Sequence, residues 1–259
     1  MPRDDKTEIG GLQDAFLTTH WSLVDAVDSS NDGDKNRALI ELLLKRYWKP
    51  VYCYLRRKGY DNEQAKDLTQ GFFHEIVLGR KLIERADRSK GRFRSYVLTA
   101  LNNYVSAVHA SESAQKRTPE GGLSQLDMTD PPELSRVIGN CTPEESFDYA
   151  WVSALLEQVL DDVETACYED GKIKHWSVFR ERVLLPITEG NDPPSLREIC
   201  HKYDIEDPRA ASNMIITVKR RFQAFLLEHL SQTVASDGRI EDELTEISKF
   251  LPQMAQYDK

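Results

Sequence analysis

Apolar side chains recur at intervals of three and four along most of this chain, and that spacing is what most constrains its fold. Residues 35–58 carry one such stripe, made of Leu39, Leu42, Leu43, Tyr47, Val51 and Tyr54. This spacing places the stripe on one face of an amphipathic helix. Pro50 is expected to kink or divide this helix, and Gly59 to end it. Without a clear strand pattern or an internal repeat, the sequence predicts an all-α fold.

Capping signals and breaks in the pattern predict where further helices begin. Capping pairs predict helix starts at Asp61 with Gln64, Thr142 with Glu145 and Ser195 with Glu198. A third helix is predicted over about 92–115. Residues 118–141 hold three prolines and three glycines without a sustained stripe, which predicts a linker. Helices are then predicted at about 143–168, 175–188, 195–203, 207–230 and 239–251.

Two helical domains joined by an acidic linker are the organisation that we predict. The N-terminal domain is placed at 14–117, the linker at 118–142 and the C-terminal domain at 143–235. An acidic helical tail is predicted at 236–259.

The formal net charge of −9 hides a segregated distribution. Residues 45–58 hold six basic residues and no acid. Residues 80–117 hold nine basic and three acidic residues, a net of +6, whereas residues 120–170 hold one basic and thirteen acidic residues, a net of −12. This asymmetry predicts an anion-binding part beside an acidic part, so a nucleic-acid partner is compatible with the overall charge.

Neither export nor membrane insertion is indicated. No apolar run approaches the roughly 18 residues of a membrane-spanning helix, and residues 1–11 lack an apolar signal-peptide core. The four cysteines are far apart, and Cys53 and Cys200 fall on apolar helix faces, where reduced thiols are expected. We therefore expect a cytoplasmic protein.

Enzymatic chemistry is not predicted. The six histidines are scattered without metal-ligand spacing, and no glycine-rich phosphate loop is present. The acidic residues fall on linker or helix surfaces and do not suggest a convergent catalytic pair. We expect no catalytic residues, no cofactor and no metal site.

Residues 195–230 have a helix-turn-helix pattern: a short helix, a tight turn and a longer helix. The longer helix has an inward stripe of Ala211, Ile215, Val218, Phe222 and Phe225. Its opposite face carries Arg209, Ser212, Asn213, Ile216 (or Thr217) and Arg220. Residues 209–223 contain four basic residues and no acid, so this face could approach phosphates. The pattern also fits an ordinary helical hairpin with a solvated polar face.

Aromatic and basic residues are interleaved over residues 91–117. Phe93, Tyr96 and Tyr104 fit core packing, but rings among arginines are also what binding of unpaired bases requires. Composition favours the core for Phe93 and Tyr104 and leaves Tyr96 open.

Taken in order, these segments resemble a known family. "YWKPVYCYLRRKGYDNEQAKDLTQGFFHEIV" is followed by "GRFRSYVLTALNNYVSAVHASESAQKR", an acidic linker and the helix-turn-helix pattern. Over roughly residues 14–235 the chain resembles a bacterial RNA polymerase sigma factor of the extracytoplasmic-function group. It is similar in particular to the branch opening with F-x-T-T-H-W-S-L-V, here Phe16 to Val24.

The resemblance implies three binding surfaces and no catalysis. The helix with the D-L-T-Q motif would bind core RNA polymerase through Asp67, Leu68, Thr69, Gln70 and Phe73. The next helix would bind the melted −10 element through Arg92, Arg94, Tyr96, Asn102, Asn103, Lys116 and Arg117. The helix-turn-helix would read the −35 element as duplex through Arg209, Ser212, Asn213, Lys219 and Arg220. The implied partners are core RNA polymerase, promoter DNA and, as a further candidate, an anti-sigma factor.

Two alternatives stay open from the sequence. A stand-alone transcriptional regulator could use the same helix-turn-helix, and a protein-binding adaptor would show no salt-dependent DNA association. On charge complementarity alone, the acidic tail at 236–259 gives the hypothesis of an intramolecular cover for the DNA-binding face.

Overall fold

The protein is almost entirely helical in a computed structural model that describes residues 33–78, 92–114, 141–231 and 240–248. Within these ranges no strand occurs, so the predicted all-α class is confirmed. The helices are α1 (Gly33–Arg57), α2 (Asn62–Phe72), α3 (Phe93–Ala114), α4 (Pro143–Glu169), α5 (Ile173–Phe179), α6 (Leu185–Glu189), α7 (Leu196–Tyr203) and α8 (Pro208–Ser231). A further helical segment, α9, covers 240–248. π-Helical turns at Phe73–Leu78 and Arg180–Leu184 follow α2 and join α5 to α6.

Capping boxes start three of these helices. In each, the cap side chain accepts a hydrogen bond from the backbone N–H three residues later, and the side chain there accepts one from the cap backbone. The pairs are Asp61 with Gln64, Thr142 with Glu145 and Ser195 with Glu198. The helix starts predicted from these residues are confirmed.

Of the two effects expected from Pro50, a kink or a division of the helix, the structure excludes division. Pro50 lies inside α1 and does not divide it, since α1 is a single helix from Gly33 to Arg57. The predicted end is confirmed, because Gly59 adopts a φ of +103° that favours glycine.

An aromatic cluster joins α1 to α3 and α4. The Tyr47 ring lies 5.8 Å from that of Phe93 in an edge-on arrangement and 6.5 Å from that of Phe147. Tyr54 also meets Phe147 edge-on at 6.5 Å. Such pairs add to the stabilisation from burying the rings. Burial in this cluster raises the pKa of the Tyr47 hydroxyl strongly.

A partly buried polar cluster ties α1 to α4 and α8. A guanidinium nitrogen of Arg46 lies 2.7 Å from Nδ1 of His229, and Nε2 of His229 lies 2.6 Å from Oδ2 of Asp162. Since arginine can only donate, His229 Nδ1 accepts and Nε2 carries the proton donated to Asp162. Arg46 Nε also donates to Gln158 at 3.1 Å. Three helices distant in sequence are thereby held in register.

The apolar core crosses the predicted domain boundary. Buried side chains of α1, α2, α3, α4, α5 and α8 belong to one continuous cluster, and α1 packs directly against α4. The division into two domains and the linker at 118–142 stay predictions, since residues 115–140 lie outside the described ranges.

Candidate functional site

The turn between α7 and α8 is set by local hydrogen bonding. Asp204 adopts a left-handed conformation with φ of 50° and ends α7. The N–H of Ile205 then donates to the carbonyl of Cys200 at 3.0 Å. The Asp207 carboxylate accepts from the N–H of Ala210 at 2.8 Å and caps α8, where Pro208 begins the helix. Two helices therefore meet at a short, well-defined turn.

Opposite sides of α8 have opposite character. Ala211, Ile215 and Val218 are buried in the core, as the sequence pattern predicts. The residues proposed to contact duplex DNA lie on the other side: Arg209, Asn213, Lys219 and Arg220 are exposed, and Ser212 is half-buried. At a rise of about 1.5 Å per residue, Arg209 and Arg220 stand roughly 16 Å apart along the helix. The structure thus brings these five side chains to one accessible side.

The neighbouring Arg221 has a different role. Its guanidinium is bonded to Asp170 at the end of α4 and also to the Cys167 sulfur at 3.6 Å. The hydrogen bond from Arg221 holds the pKa of the Asp170 carboxyl below its usual range. This cation is engaged in joining α4 to α8, whereas Lys219 and Arg220 point outward.

α7 is held against the π-helical turn at Arg180–Leu184 by a side-chain triad. The Glu181 carboxylate accepts hydrogen bonds from Lys202 at 2.7 Å and Tyr203 at 2.5 Å. Burial alone would raise the pKa of Glu181, but these two donors outweigh it and lower the pKa. Burial and the bond to Glu181 raise the pKa of Tyr203 to about 12. The triad therefore stabilises the contact between α7 and this π-helical turn.

The residues proposed to contact polymerase divide between surface and interior; four lie on α2, and Phe73 begins the π-helical turn that follows it. Asp67 is exposed, and Leu68 and Gln70 are half-buried. Thr69 and Phe73 are buried in the protein, and the Thr69 hydroxyl donates to the carbonyl of Ala65 at 2.7 Å. Three of the five residues therefore reach the surface, while the other two pack inward.

The α3 residues proposed to bind melted DNA also differ in exposure. Asn103 is exposed, and Tyr96 is half-buried with its ring 6.2 Å from that of Phe93. The Asn102 side-chain oxygen accepts hydrogen bonds from Tyr54 at 2.6 Å and Lys58 at 2.9 Å. Lys116 and Arg117 lie outside the described residues, as does the segment Phe16 to Val24. The core positions predicted for Phe93 and Tyr104 are confirmed.

Arg92 and Arg94 are engaged by acidic side chains from distant segments. Arg92 Nε lies 2.7 Å from Glu243 Oε2, and Arg94 Nη1 lies 2.9 Å from Glu243 Oε1. Neither Arg94 Nη1 nor Glu243 Oε2 makes a hydrogen bond. The two contacts are therefore ion pairs whose geometry does not meet that of a hydrogen bond. Arg94 also approaches Asp148 of α4 at 3.4 Å and lies over the Trp151 ring at 4.8 Å. Arg94 retains 5% of its exposure and Glu243 retains 1%.

The sequence interpretation missed the individual partners of these arginines. Glu243, Asp148 and Trp151 come from segments that are far from α3 along the chain. One signal was present: Ile240, Leu244 and Ile247 form a helical stripe, and Glu243 lies within it. A carboxylate in an inward-facing stripe indicates a buried cationic partner.

No group of three or more potential metal ligands occurs among the described residues. No helix in the described ranges is long and apolar enough to cross a membrane. Comparisons with protein-family models, curated proteins and solved structures found no match.

Proposed function

We propose that this chain is a bacterial RNA polymerase sigma factor of the extracytoplasmic-function group. In this role it works in the cytoplasm, binds core RNA polymerase, recognises the −10 and −35 promoter elements and supports transcription initiation. It needs no cofactor and performs no catalysis of its own. An anti-sigma factor is a further candidate partner.

The observation that carries this proposal is the exposed polar side of α8. In the proposal α7, the turn and α8 form a helix-turn-helix, and Arg209, Ser212, Asn213, Lys219 and Arg220 read duplex DNA at the −35 element. Arginine and asparagine can each make two-point contacts with base edges in the major groove. The backbone phosphates favour the same side because Lys219 and Arg220 are exposed cations.

On α2, Asp67 is the residue to which we assign direct contact with core polymerase. Its exposure, together with half-buried Leu68 and Gln70, supports a mixed polar and apolar surface for a partner helix. Thr69 of the same motif and Phe73, which lies just beyond it, are both buried, and their burial supports a role in holding α2 in position.

On α3, the proposed partner is the melted −10 element. Exposed Asn103 and half-buried Tyr96 and Asn102 are accessible in part to unpaired bases. Arg92 and Arg94 would neutralise phosphates of the same strand, together with Lys116 and Arg117.

The decisive experiment is co-elution of the full chain with bacterial core RNA polymerase on a sizing column. A stoichiometric complex is expected, and it should bind promoter DNA selectively. Absence of a complex, with salt-dependent DNA binding retained, would instead make the chain a stand-alone helix-turn-helix regulator. If the chain bound neither polymerase nor DNA, a protein-binding adaptor would be the remaining alternative.

Replacement of Asp67 tests the polymerase surface directly. We expect Asp67→Ala to weaken core polymerase binding while leaving the free energy of unfolding within about 1 kcal/mol, because an exposed carboxylate contributes little to stability. Glu63→Ala, which removes another exposed carboxylate from α2, is the matched control and should bind as wild type. Equal affinities of the two variants in a titration would remove Asp67 from the interface.

A further inference from the structure

The C-terminal helical segment α9 directs a carboxylate into the protein. Ile247 is buried, and Ile240 and Leu244 pack against the same core, so these three residues define the inward side of α9. Glu243 lies on that side, between Ile240 and Leu244, although this position would suit an apolar residue. Burying a carboxylate is costly unless a cation compensates its charge. A glutamate at position 243 is therefore tolerated because it meets two arginines.

Glu243 bridges two cations at the start of α3. Each of its oxygens contacts a different guanidinium, at 2.7 Å for Arg92 and 2.9 Å for Arg94. With Asp148 also 3.4 Å from Arg94, two positive charges face two negative ones. The cluster therefore has no excess positive charge to offer to a phosphate.

We propose that Arg92 and Arg94 form one anion site with two alternative occupants, the Glu243 carboxylate of α9 and the phosphate backbone of single-stranded DNA. The inference rests on the proposed function, which assigns these two arginines to melted promoter DNA. Because both occupants require the same guanidinium groups, binding of one excludes the other. When Glu243 occupies the site, which we call the closed state, α9 masks the arginines of α3 and leaves the exposed side of α8 accessible.

Exchange between the two occupants is physically reasonable. Carboxylate and phosphate oxygens are both anionic groups that pair with a guanidinium. Desolvation cancels much of the attraction within a buried ion pair, so the closed contact contributes little net stability. Within 240–248, α9 contacts the core through one side, formed by Ile240, Leu244 and Ile247, and loss of that packing would release it. Tethering compensates for this weakness, since it holds Glu243 at a high effective concentration near the site.

The test compares Glu243→Gln with Glu241→Gln in the full chain. Both substitutions remove one negative charge from α9, but Glu241 is exposed whereas Glu243 is buried against the arginines. A fluorescent single-stranded oligonucleotide is titrated by anisotropy at several salt concentrations. We expect Glu243→Gln to bind at least about tenfold more tightly than wild type. The slope of the logarithm of its binding constant against the logarithm of salt concentration, the salt slope, should be steeper by up to about 1.4. Each added phosphate contact contributes about 0.7 to this slope. Glu241→Gln should resemble wild type.

Amide hydrogen exchange of residues 240–248 tests whether Glu243 holds α9 in place, independently of whether Arg92 and Arg94 bind DNA. Glu243→Gln should expose these amides and Glu241→Gln should not, with circular dichroism confirming that both variants remain folded. Unchanged protection in both Glu243→Gln and the stronger variant Glu243→Lys would overturn the proposed mask, whatever the polymerase assay shows. If these amides exchange faster in Glu243→Gln but the affinity for single-stranded DNA does not increase, DNA is not the second occupant and the proposed masking is wrong. In that outcome, co-elution with polymerase and duplex binding by α8 still decide the proposed function.

Discussion

Arg220 is the residue whose proposed role is simplest to test, because it is exposed and neighbouring Arg221 is not. Arg220→Ala should weaken duplex binding, and the salt slope should fall by about 0.9 if the side chain neutralises one phosphate of B-form DNA. Titrations at several salt concentrations measure this slope. Arg180→Ala, which removes an exposed cation from a different element, should leave the slope unchanged. An equal slope for Arg220→Ala and wild type would exclude a phosphate contact.

Glu243 also gives the protein a pH dependence of predictable sign. Burial raises the pKa of its carboxyl above the usual 4.5; attraction to Arg94 and Arg92 opposes this only in part, and repulsion from Asp148 and Glu246 adds to it. A carboxyl whose pKa is raised in the folded state stabilises that state below its unfolded pKa, and this contribution is lost as the pH rises through the raised value.

The free energy of unfolding should therefore rise in wild type relative to Glu243→Gln as the pH falls toward 4.5. Above the raised pKa, the difference between the two proteins should be constant. Denaturant titrations across this range measure the difference. A relative decrease for wild type on acidification would mean that attraction to the arginines outweighs the cost of burial.

At the scale of elements, α2 and α3 are packed closely enough to be sensitive to a single methyl group. A Cβ added at Gly71 would lie 2.2 Å from Oη and 3.3 Å from Cζ of Tyr104. Gly71→Ala should therefore destabilise the protein by about 1–3 kcal/mol, because the buried ring must shift. Denaturant unfolding measures this cost.

A double substitution tests whether Tyr104 is the cause. Tyr104→Phe removes the hydroxyl that would clash, so Gly71→Ala should cost less in that background than in wild type. An identical cost in both backgrounds would show that the loss arises elsewhere, for example from the backbone of α2.

Helix ends were the element-scale features that the sequence predicted best. The caps at Asp61, Thr142 and Ser195 depend on side chains and backbone groups three residues apart, so a local pattern is sufficient. The π-helical turns at Phe73–Leu78 and Arg180–Leu184 were not predicted. Apolar spacing of three and four does not distinguish a continuous helix from one with a wider turn.

At the scale of the whole molecule, the continuous core predicts cooperative unfolding. Leu55 of α1 and Val159 of α4 are both fully buried in the same cluster. Leu55→Ala should lower the free energy of unfolding by about 2–5 kcal/mol. Val159→Ala should move the same transition, because helices on both sides of the predicted boundary share their packing. Circular dichroism and tryptophan fluorescence should report coincident curves, whereas two separated transitions would indicate domains that unfold independently.

The sequence by itself determined the helical class, the caps and the inward and outward sides of α8. Each follows from interactions within a few residues or from the period of a single helix: Val218 faces inward and Arg220 outward for that reason alone. Charge segregation likewise marked residues 80–117 as basic before any packing was known.

Tertiary structure alone decided which helices meet and which charges are available. Thr69 and Phe73 are among the residues proposed to contact a partner, yet packing buries both. Arg94 lies in a basic segment, but Asp148 and Glu243 reach it from distant parts of the chain. A local pattern reports the side of a helix on which a residue lies. The free energy of its charge depends on neighbours that only folding brings within a few ångströms.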